Sequence, residues 1–272
     1  MYDTERIIFI GGSGRCGTTL MAMLLDIHPD VASLFEVPMF LSMLQHWKSG
    51  HKITHKFAEK LFLESEISTD PNSLFNWRML PDELNMATHR FINRLNEGAA
   101  APEAMYEWIE NIHMVQMIRD GSTRIVHKTP ALAQFTDELF QLWPDCYFIH
   151  MLRNPVSVIA SYLDQNFGPQ TIQEGIDWYA QRTGAAIRNG RKHPNYLEVR
   201  LEDFVQAPAL TLDKLQAFVG LELQTRTILQ NMTVRKEQVY KRDGQFDPET
   251  RSVIYEKVVD RLPEIAHLYP HP

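Results

Sequence analysis

The run Ile7-Ile8-Phe9-Ile10-Gly11-Gly12-Ser13-Gly14-Arg15-Cys16-Gly17-Thr18-Thr19-Leu20 limits this chain more than any other stretch. The apolar residues read as a buried strand and the glycines as a tight turn. Thr18-Thr19, followed by Leu20, Met21, Leu24 and Leu25, reads as the start of a helix. Such a turn points several backbone N–H groups and a helix N-terminus at one spot, which suits a phosphate. Gly12 to Thr19 nearly spells G-x-x-x-x-G-K-[ST], but Thr18 stands where the lysine belongs. Arg15 is the loop's only cation. Ser13, Gly14, Arg15, Cys16, Gly17, Thr18 and Thr19 are therefore expected to cradle an anion without the lysine of nucleoside-triphosphate sites.

Strand-like runs recur at Arg6–Ile10, Arg124–His127, Cys146–Leu152 and Tyr196–Arg200. Helical patterns follow at Thr18–Asp26, Ala131–Leu142, Pro155–Gln165 and Ala209–Val219, with a further helix at Thr171–Asn189 and a last one from Pro248 to Leu262. Alternation of this kind predicts an α/β fold: a P-loop-type parallel sheet flanked by helices, with ligands at the carboxyl ends of the strands. The interval 38–120 reads as a helical insertion between strands one and two. Its expected helices are Met39–Trp47, Lys56–Leu63, Asp82–Asn96 and Glu103–Arg119, with polar breaks at Ser65–Asn72 and Gly98–Pro102. An insertion there commonly walls a pocket. No repeat or linker divides residues 1–272, so one domain is expected.

Net charge is −7, which argues against a nucleic-acid surface. No run reaches the length of a membrane span. The N-terminus enters the first strand almost at once, so no signal peptide is expected. Two cysteines give no disulfide framework and fit a reducing cytosol, hence an expected cytoplasmic location. A homo-oligomer is compatible with everything in the sequence.

A second anion site is suggested where Cys146–Leu152 runs into Arg153-Asn154-Pro155. Asn154 can cap a helix that starts at Pro155, placing Arg153 at the strand's carboxyl end. Ser161 lies about two turns along that helix. An Arg fork and a Ser hydroxyl could grip a second phosphate. Taken alone, the pair is better explained by a surface arginine and a solvated serine.

Taken with the loop, the pattern resembles the sulfotransferase superfamily, whose members use 3′-phosphoadenosine 5′-phosphosulfate (PAPS). The resemblance implies that the loop cradles the 5′-phosphosulfate and that Arg153 and Ser161 hold the 3′-phosphate. Tyrosylprotein sulfotransferases and their bacterial relatives are the most similar branch. Arg15-Cys16-Gly17-Thr18-Thr19-Leu20-Met21 runs through Leu25-Asp26-Ile27-His28-Pro29-Asp30-Val31 to Glu36 without a gap against their pattern. That match makes Arg15 the loop arginine and Glu36 the general base. His127-Lys128-Thr129-Pro130 resembles their second-strand lysine motif, making Lys128 catalytic. Val199-Arg200-Leu201-Glu202-Asp203-Phe204 is similar to a V-R-Y-E-D-L motif, with Leu201 in place of the tyrosine. Glu237-Gln238-Val239-Tyr240-Lys241 resembles a segment that closes over the cofactor, and Lys241, in a basic run with Arg235, Lys236 and Arg242, joins the expected cofactor contacts.

Glu36 sits in Ser33-Leu34-Phe35-Glu36-Val37-Pro38-Met39-Phe40, where desolvation would make a carboxylate a stronger base. His127 and His150 are the rival bases. Cys16, near a helix N-terminus, is expected to have a lowered thiol pKa without acting as a nucleophile. The leaving group in sulfuryl transfer is a nucleotide phosphate, so no metal requirement is expected. Val37 and Pro38 follow Glu36, where peptide-sulfating relatives carry arginines. That departure favours a small hydroxylated acceptor over an acidic peptide, and the acidic balance would tolerate a cationic one. Phe40, Trp47, Phe57, Phe62, Phe75 and Trp77 could line its pocket or belong to the core. Tyrosyl-peptide sulfation, a P-loop kinase and a non-catalytic nucleotide-binding protein are the alternatives. The kinase reading is opposed by Thr18 and by Leu152-Arg153-Asn154, although Asp203 could serve a metal.

Overall fold

The computed structural model describes residues 6–64, 81–232, 236–240, 242 and 244–269. Among them, five strands form one sheet: β1 (Ile7–Gly12), β2 (Val31–Leu34), β3 (Arg124–Lys128), β4 (Tyr147–Leu152) and β5 (Tyr196–Arg200). Their order is β2-β3-β1-β4-β5, and every pairing is parallel. A parallel sheet is covered on both faces, which explains the unbroken apolar character of β1 and its complete burial. Ile10 pairs with Lys128, Gly12 with Met151, and Leu34 with His127. The loops after β1, β2, β3 and β4 therefore leave from a single edge of the sheet.

The four expected strands are present, and β2 adds a fifth. The helical insertion follows this added strand and lies between β2 and β3, within the expected interval between β1 and the strand at Arg124. It contains α2 (Pro38–Lys48), α3 (His55–Glu64), α4 (Pro81–Asn96) and α5 (Ala101–Asp120), the last closed by Gly121 in the left-handed conformation. Ser65–Asn72, Phe75 and Trp77 fall outside the described residues.

The helix that follows the glycine loop is α1 (Thr18–Leu25). After β3, the expected single helix at Ala131–Leu142 is split. A 3-10 segment, Pro130–Phe135, gives way to α6 (Thr136–Leu142), and the Thr136 hydroxyl donates back to the Ala133 carbonyl at 3.0 Å. Asn154 caps α7 (Pro155–Leu163) through the Val156 N–H, as its position before Pro155 predicts. Thr171 and Glu174 form a capping box on α8 (Ile172–Gly190). The C-terminal part is helical: α9 (Leu201–Gln206), α10 (Pro208–Phe218), α11 (Thr225–Asn231), α12 (Lys236–Tyr240) and α13 (Pro248–Arg261).

Each face of the sheet has its own apolar core. The aromatic residues of the insertion belong to one of them. Phe40 is fully buried against His127 and Trp143, and Trp47, Phe57 and Phe62 pack around that cluster. Deeper in the same core, Glu110 pairs with Arg6 and accepts from the Trp143 indole at 2.9 Å.

Candidate active site

The loop between β1 and α1 is built from left-handed residues. Gly14 (φ 83°) and Gly17 (φ 90°) take conformations that a side chain resists. A Cβ at Gly14 would also strike the Tyr162 hydroxyl, and one at Gly17 would lie 2.8 Å from Leu201 Cδ1. Arg15, at φ 55°, is the one non-glycine residue with positive φ among the described residues. Strain of that kind persists where surrounding contacts impose it. Here the Tyr162 hydroxyl (3.0 Å) and the Trp178 indole (2.9 Å) both donate to the Ser13 carbonyl. Ser13 and Thr18 are buried, Thr19 is half-buried, and Arg15 is exposed.

Helix α1 starts at this loop with no capping side chain and no acidic residue in its first turn. Its leading N–H groups therefore have no partner within the helix. Together with the positive end of the helix dipole they form a donor set for an anion, as in phosphate-binding loops. Glycine-turned backbone, uncapped N–H groups and nearby Arg and Lys side chains fit the phosphosulfate end of PAPS. Leu201, in the tyrosine position of its motif, packs on Gly17 and so supports the loop.

Glu36 and Lys128 meet although 92 residues separate them. Lys128 Nζ donates to Glu36 Oε1 at 2.8 Å. The Lys128 side chain is fully buried, whereas that of Glu36 is 25% exposed. Val37 N–H donates to the Thr129 hydroxyl at 3.4 Å, tying the Glu36 segment to the end of β3. Lys128 Nζ also lies 5.3 Å from the centre of the Phe35 ring. Burial pulls the lysine below its ordinary pKa, while the Glu36 carboxylate pulls it back up. The apolar neighbourhood of Glu36 thus holds a counter-charge, and its carboxylate is partnered, not isolated.

Arg15, Arg153 and Ser161 form a second group. Arg15 Nε donates to Ser161 Oγ at 3.0 Å, and Arg153 donates to the Arg15 carbonyl at 2.9 Å and to the Val239 carbonyl. Arg153 therefore joins the loop to α12, and its own carbonyl accepts from the Tyr179 hydroxyl at 2.9 Å. Arg15 faces this group, its side chain bonded to Ser161. Of the basic run near the C-terminus, Arg242 is paired with Asp164, while Lys241 and Arg235 lie outside the described residues.

Cys16 corrects an expectation. Its thiol is fully buried, and burial raises its pKa, outweighing the Ser13 hydrogen bond and the neighbouring charge of Arg153. Both histidine rivals of Glu36 are core residues. His127 touches His113 at 3.2 Å and packs against Phe9 and Phe40, with burial holding its pKa down at about 3. His150 is bonded to the Tyr196 hydroxyl at 2.6 Å and is held at about 4 by burial, with Arg191 adding to the drop and Glu198 opposing it.

These histidines predict acid sensitivity. As pH falls below 6.5, the unfolded chain takes up protons at His113, His127 and His150 that the folded chain refuses. Each such group costs about 1.4 kcal/mol of stability per pH unit until its folded pKa is reached. Glu110 and Glu202, whose pKa values burial raises, offset part of this by taking up protons in the folded state. Urea unfolding at about pH 7 and about pH 5 should show the lower midpoint at acid pH; an equal or higher midpoint there would contradict the burial of these rings.

Two residues near the loop carry signals that sequence reasoning missed. Trp178 and Arg182, one turn apart on α8, stack with the guanidinium 3.6 Å from the ring centre. Burial pulls the Arg182 pKa down, opposed by the charges of Tyr162, Cys16 and Glu36. Their i, i+4 spacing was the available hint.

Sheet order, strand-edge loop and the Lys128–Glu36 pair define a P-loop-type α/β protein whose glycine-turned loop lacks the usual lysine. Residues 7–225 match the model of the Sulfotransferase family, and the chain belongs to that family. A protein-tyrosine sulfotransferase of Drosophila melanogaster is 25% identical over 170 residues, 60% of this chain but only 26% of that protein. The sulfotransferase domain of the Synechococcus PCC 7002 olefin synthase superposes with a TM-score of 0.65 at 17% identity, covering 98% of this chain and 95% of that domain. A sulfotransferase domain from the curacin biosynthetic pathway gives 0.61 at 17% identity, with 98% of each chain covered. Both structures share the fold. The kinase alternative falls with this assignment, and Asp203 pairs with Arg200 at 3.2 Å. No helix among the described residues is long and apolar enough to cross a membrane.

Proposed function

We propose that this sulfotransferase moves a sulfuryl group from PAPS to a hydroxyl of a small molecule, releasing 3′,5′-adenosine bisphosphate. The reading is carried by the Glu36–Lys128 pair standing at the same sheet edge as the uncapped, glycine-turned start of α1. When bound, PAPS supplies an activated sulfonate with a nucleotide phosphate as leaving group. Glu36 accepts the proton of the acceptor hydroxyl. Lys128, Arg15 and the N–H groups of the Ser13–Thr19 loop stabilise negative charge as it develops, by the electrostatic logic of phosphoryl transfer. Arg153 and Ser161 hold the 3′-phosphate, with Lys241 as an added contact. The chemistry assigns no role to a metal. Residues 38–120 supply the acceptor side, and the protein acts in the cytoplasm.

Two observations favour a small acceptor over a peptide tyrosine. Val37 and Pro38 follow Glu36, where the family resemblance implies arginines in a peptide-sulfating enzyme. The two structural neighbours are named for an olefin synthase and the curacin pathway, which suggests natural-product chemistry.

Calorimetric titration without metal tests the two-phosphate arrangement. The bisphosphate should bind more tightly than AMP or ATP. Arg153→Ala should weaken bisphosphate binding by about 1.5–3 kcal/mol, the worth of a charged hydrogen bond, and should erase the preference over AMP. A preference retained by that variant would remove Arg153 from the 3′-phosphate site. ATP binding that depends on Mg²⁺ would contradict the sulfuryl-transfer reading.

A further inference from the structure

Between α2, the 130–135 segment and α8 lies an open cleft of about 500 Å³, with Leu41, His46, His51, Gln134, Phe135 and Arg182 in its walls. Two of its walls belong to elements that start at the transfer edge. Helix α2 begins just beyond Glu36, and the Pro130–Phe135 segment begins just beyond Lys128. Arg182 reaches both the cleft and the Ser13 carbonyl, 3.5 Å away. The volume suits a small organic molecule.

The one charged side chain among the lining residues is a cation, Arg182. Among the described residues that line the cleft there is no aspartate or glutamate, whereas a guanidinium and two imidazoles are present. The negative net charge of the whole chain, which would tolerate a cationic acceptor, is not what this cleft presents. Arg182 is the informative member. Its partners are the Ser13 carbonyl and the Trp178 ring face, 3.6 Å from the guanidinium carbon. A guanidinium has five N–H donors in a planar fork made for a carboxylate. It is half-buried against a carbonyl and a ring, with the Glu36 charge nearby but no ion pair to it among the described residues, so a ligand carboxylate at the cleft would complete its fork. On the opposite wall His46 and His51 stack at 5.0 Å, and His46 is fixed by Phe57, at 3.9 Å, and by the Lys52 carbonyl.

We propose that this cleft binds the acceptor and that the acceptor is a hydroxy acid, its carboxylate paired with Arg182 and its hydroxyl presented to Glu36. The assignment rests on the sulfuryl-transfer reading for the fate of the hydroxyl, but not for the recognition of the carboxylate. Arg182 is then a specificity residue. Its fork selects an anion at close range, where a local pair outweighs the screened charge of the distant surface.

The test is calorimetric binding to the full chain, with and without 3′,5′-adenosine bisphosphate. The probes are 4-hydroxyphenylacetate, 3-hydroxybutyrate and 3-hydroxydecanoate, each matched with its primary amide. At least one acid should bind about tenfold or more tightly than its amide, in keeping with a charge-assisted bidentate pair. Arg182→Gln should abolish that preference, and Arg182→Lys, which keeps the charge but not the fork, should retain part of it. Acids and amides bound equally by the unaltered chain, no acid bound at all, or a preference surviving in Arg182→Gln would each overturn the proposal. The unaltered chain decides the acid–amide comparison even where a variant fails to fold. An Arg182-dependent acid preference with no sulfated product from PAPS would support the cleft assignment and overturn the transfer reading. Sulfation of amides as fast as acids would do the reverse.

Discussion

Glu36→Gln should lower turnover by roughly 10²–10⁴-fold, the usual contribution of a positioned general base, while nucleotide binding stays near its original level. The amide keeps the shape and still accepts a hydrogen bond from Lys128, so the 2.8 Å contact can survive as a neutral one. What disappears is the capacity to take a proton from the acceptor. Single-turnover measurements with PAPS, alongside calorimetry of the bisphosphate, separate these effects. A variant with unchanged turnover would remove Glu36 from the mechanism. Neither histidine can replace it easily: His127 and His150 are buried among aromatic rings and bonded to His113 and Tyr196. The residual rate should therefore not recover at higher pH through an imidazole.

Much of the architecture was legible because parallel strands buried on both faces leave a plain signal. Arg6–Ile10, Cys146–Leu152 and Tyr196–Arg200 announce themselves as short apolar or alternating runs between turn residues, and the structure places strands β1, β4 and β5 over them. β2 was not legible. Val31-Ala32-Ser33-Leu34 is four residues long, pairs with β3 alone, and has no alternation to distinguish it from the end of a loop. The split after Pro130 was missed for a related reason: apolar spacing over Ala131–Leu142 fits a helix, while the choice between 3-10 and α is made by tertiary packing.

The site divides in the same way. The loop could be read locally, since glycine at positions 14 and 17 is required by backbone conformation. The pairing of Glu36 with Lys128 could not be read from spacing; family resemblance suggested both residues, and only the sheet order explains why they meet. Cys16 shows the limit of local reasoning most clearly. Its place by a helix N-terminus predicts a lowered pKa, but its side chain turns into the core, where desolvation dominates. Trp178 and Arg182 lie on a helix for which the sequence assigned no site residue, and their proximity to the Ser13 carbonyl depends on how α8 crosses the loop.

Lys128→Met should reduce turnover by roughly 10²–10³-fold, the typical loss when one preorganised charge is taken from a developing oxyanion. The same change should leave the melting temperature nearly unaltered or raise it. Breaking an ion pair is destabilising when it strands a charge in the core. Here the lysine is the fully buried partner and Glu36 keeps contact with water, so the remaining carboxylate can be solvated. Met fills much of the same volume and brings no desolvation cost, and the Phe35 ring beside the lysine offers it a suitable contact. The loss at the transition state, about 2.7–4 kcal/mol, would then far exceed any loss of folding stability. Thermal melting and turnover measured on the same preparation check this. Parallel losses in both would mean that Lys128 acts by holding the end of β3 in place, and a stable variant with full turnover would mean that the loop and Arg15 carry the developing charge without it.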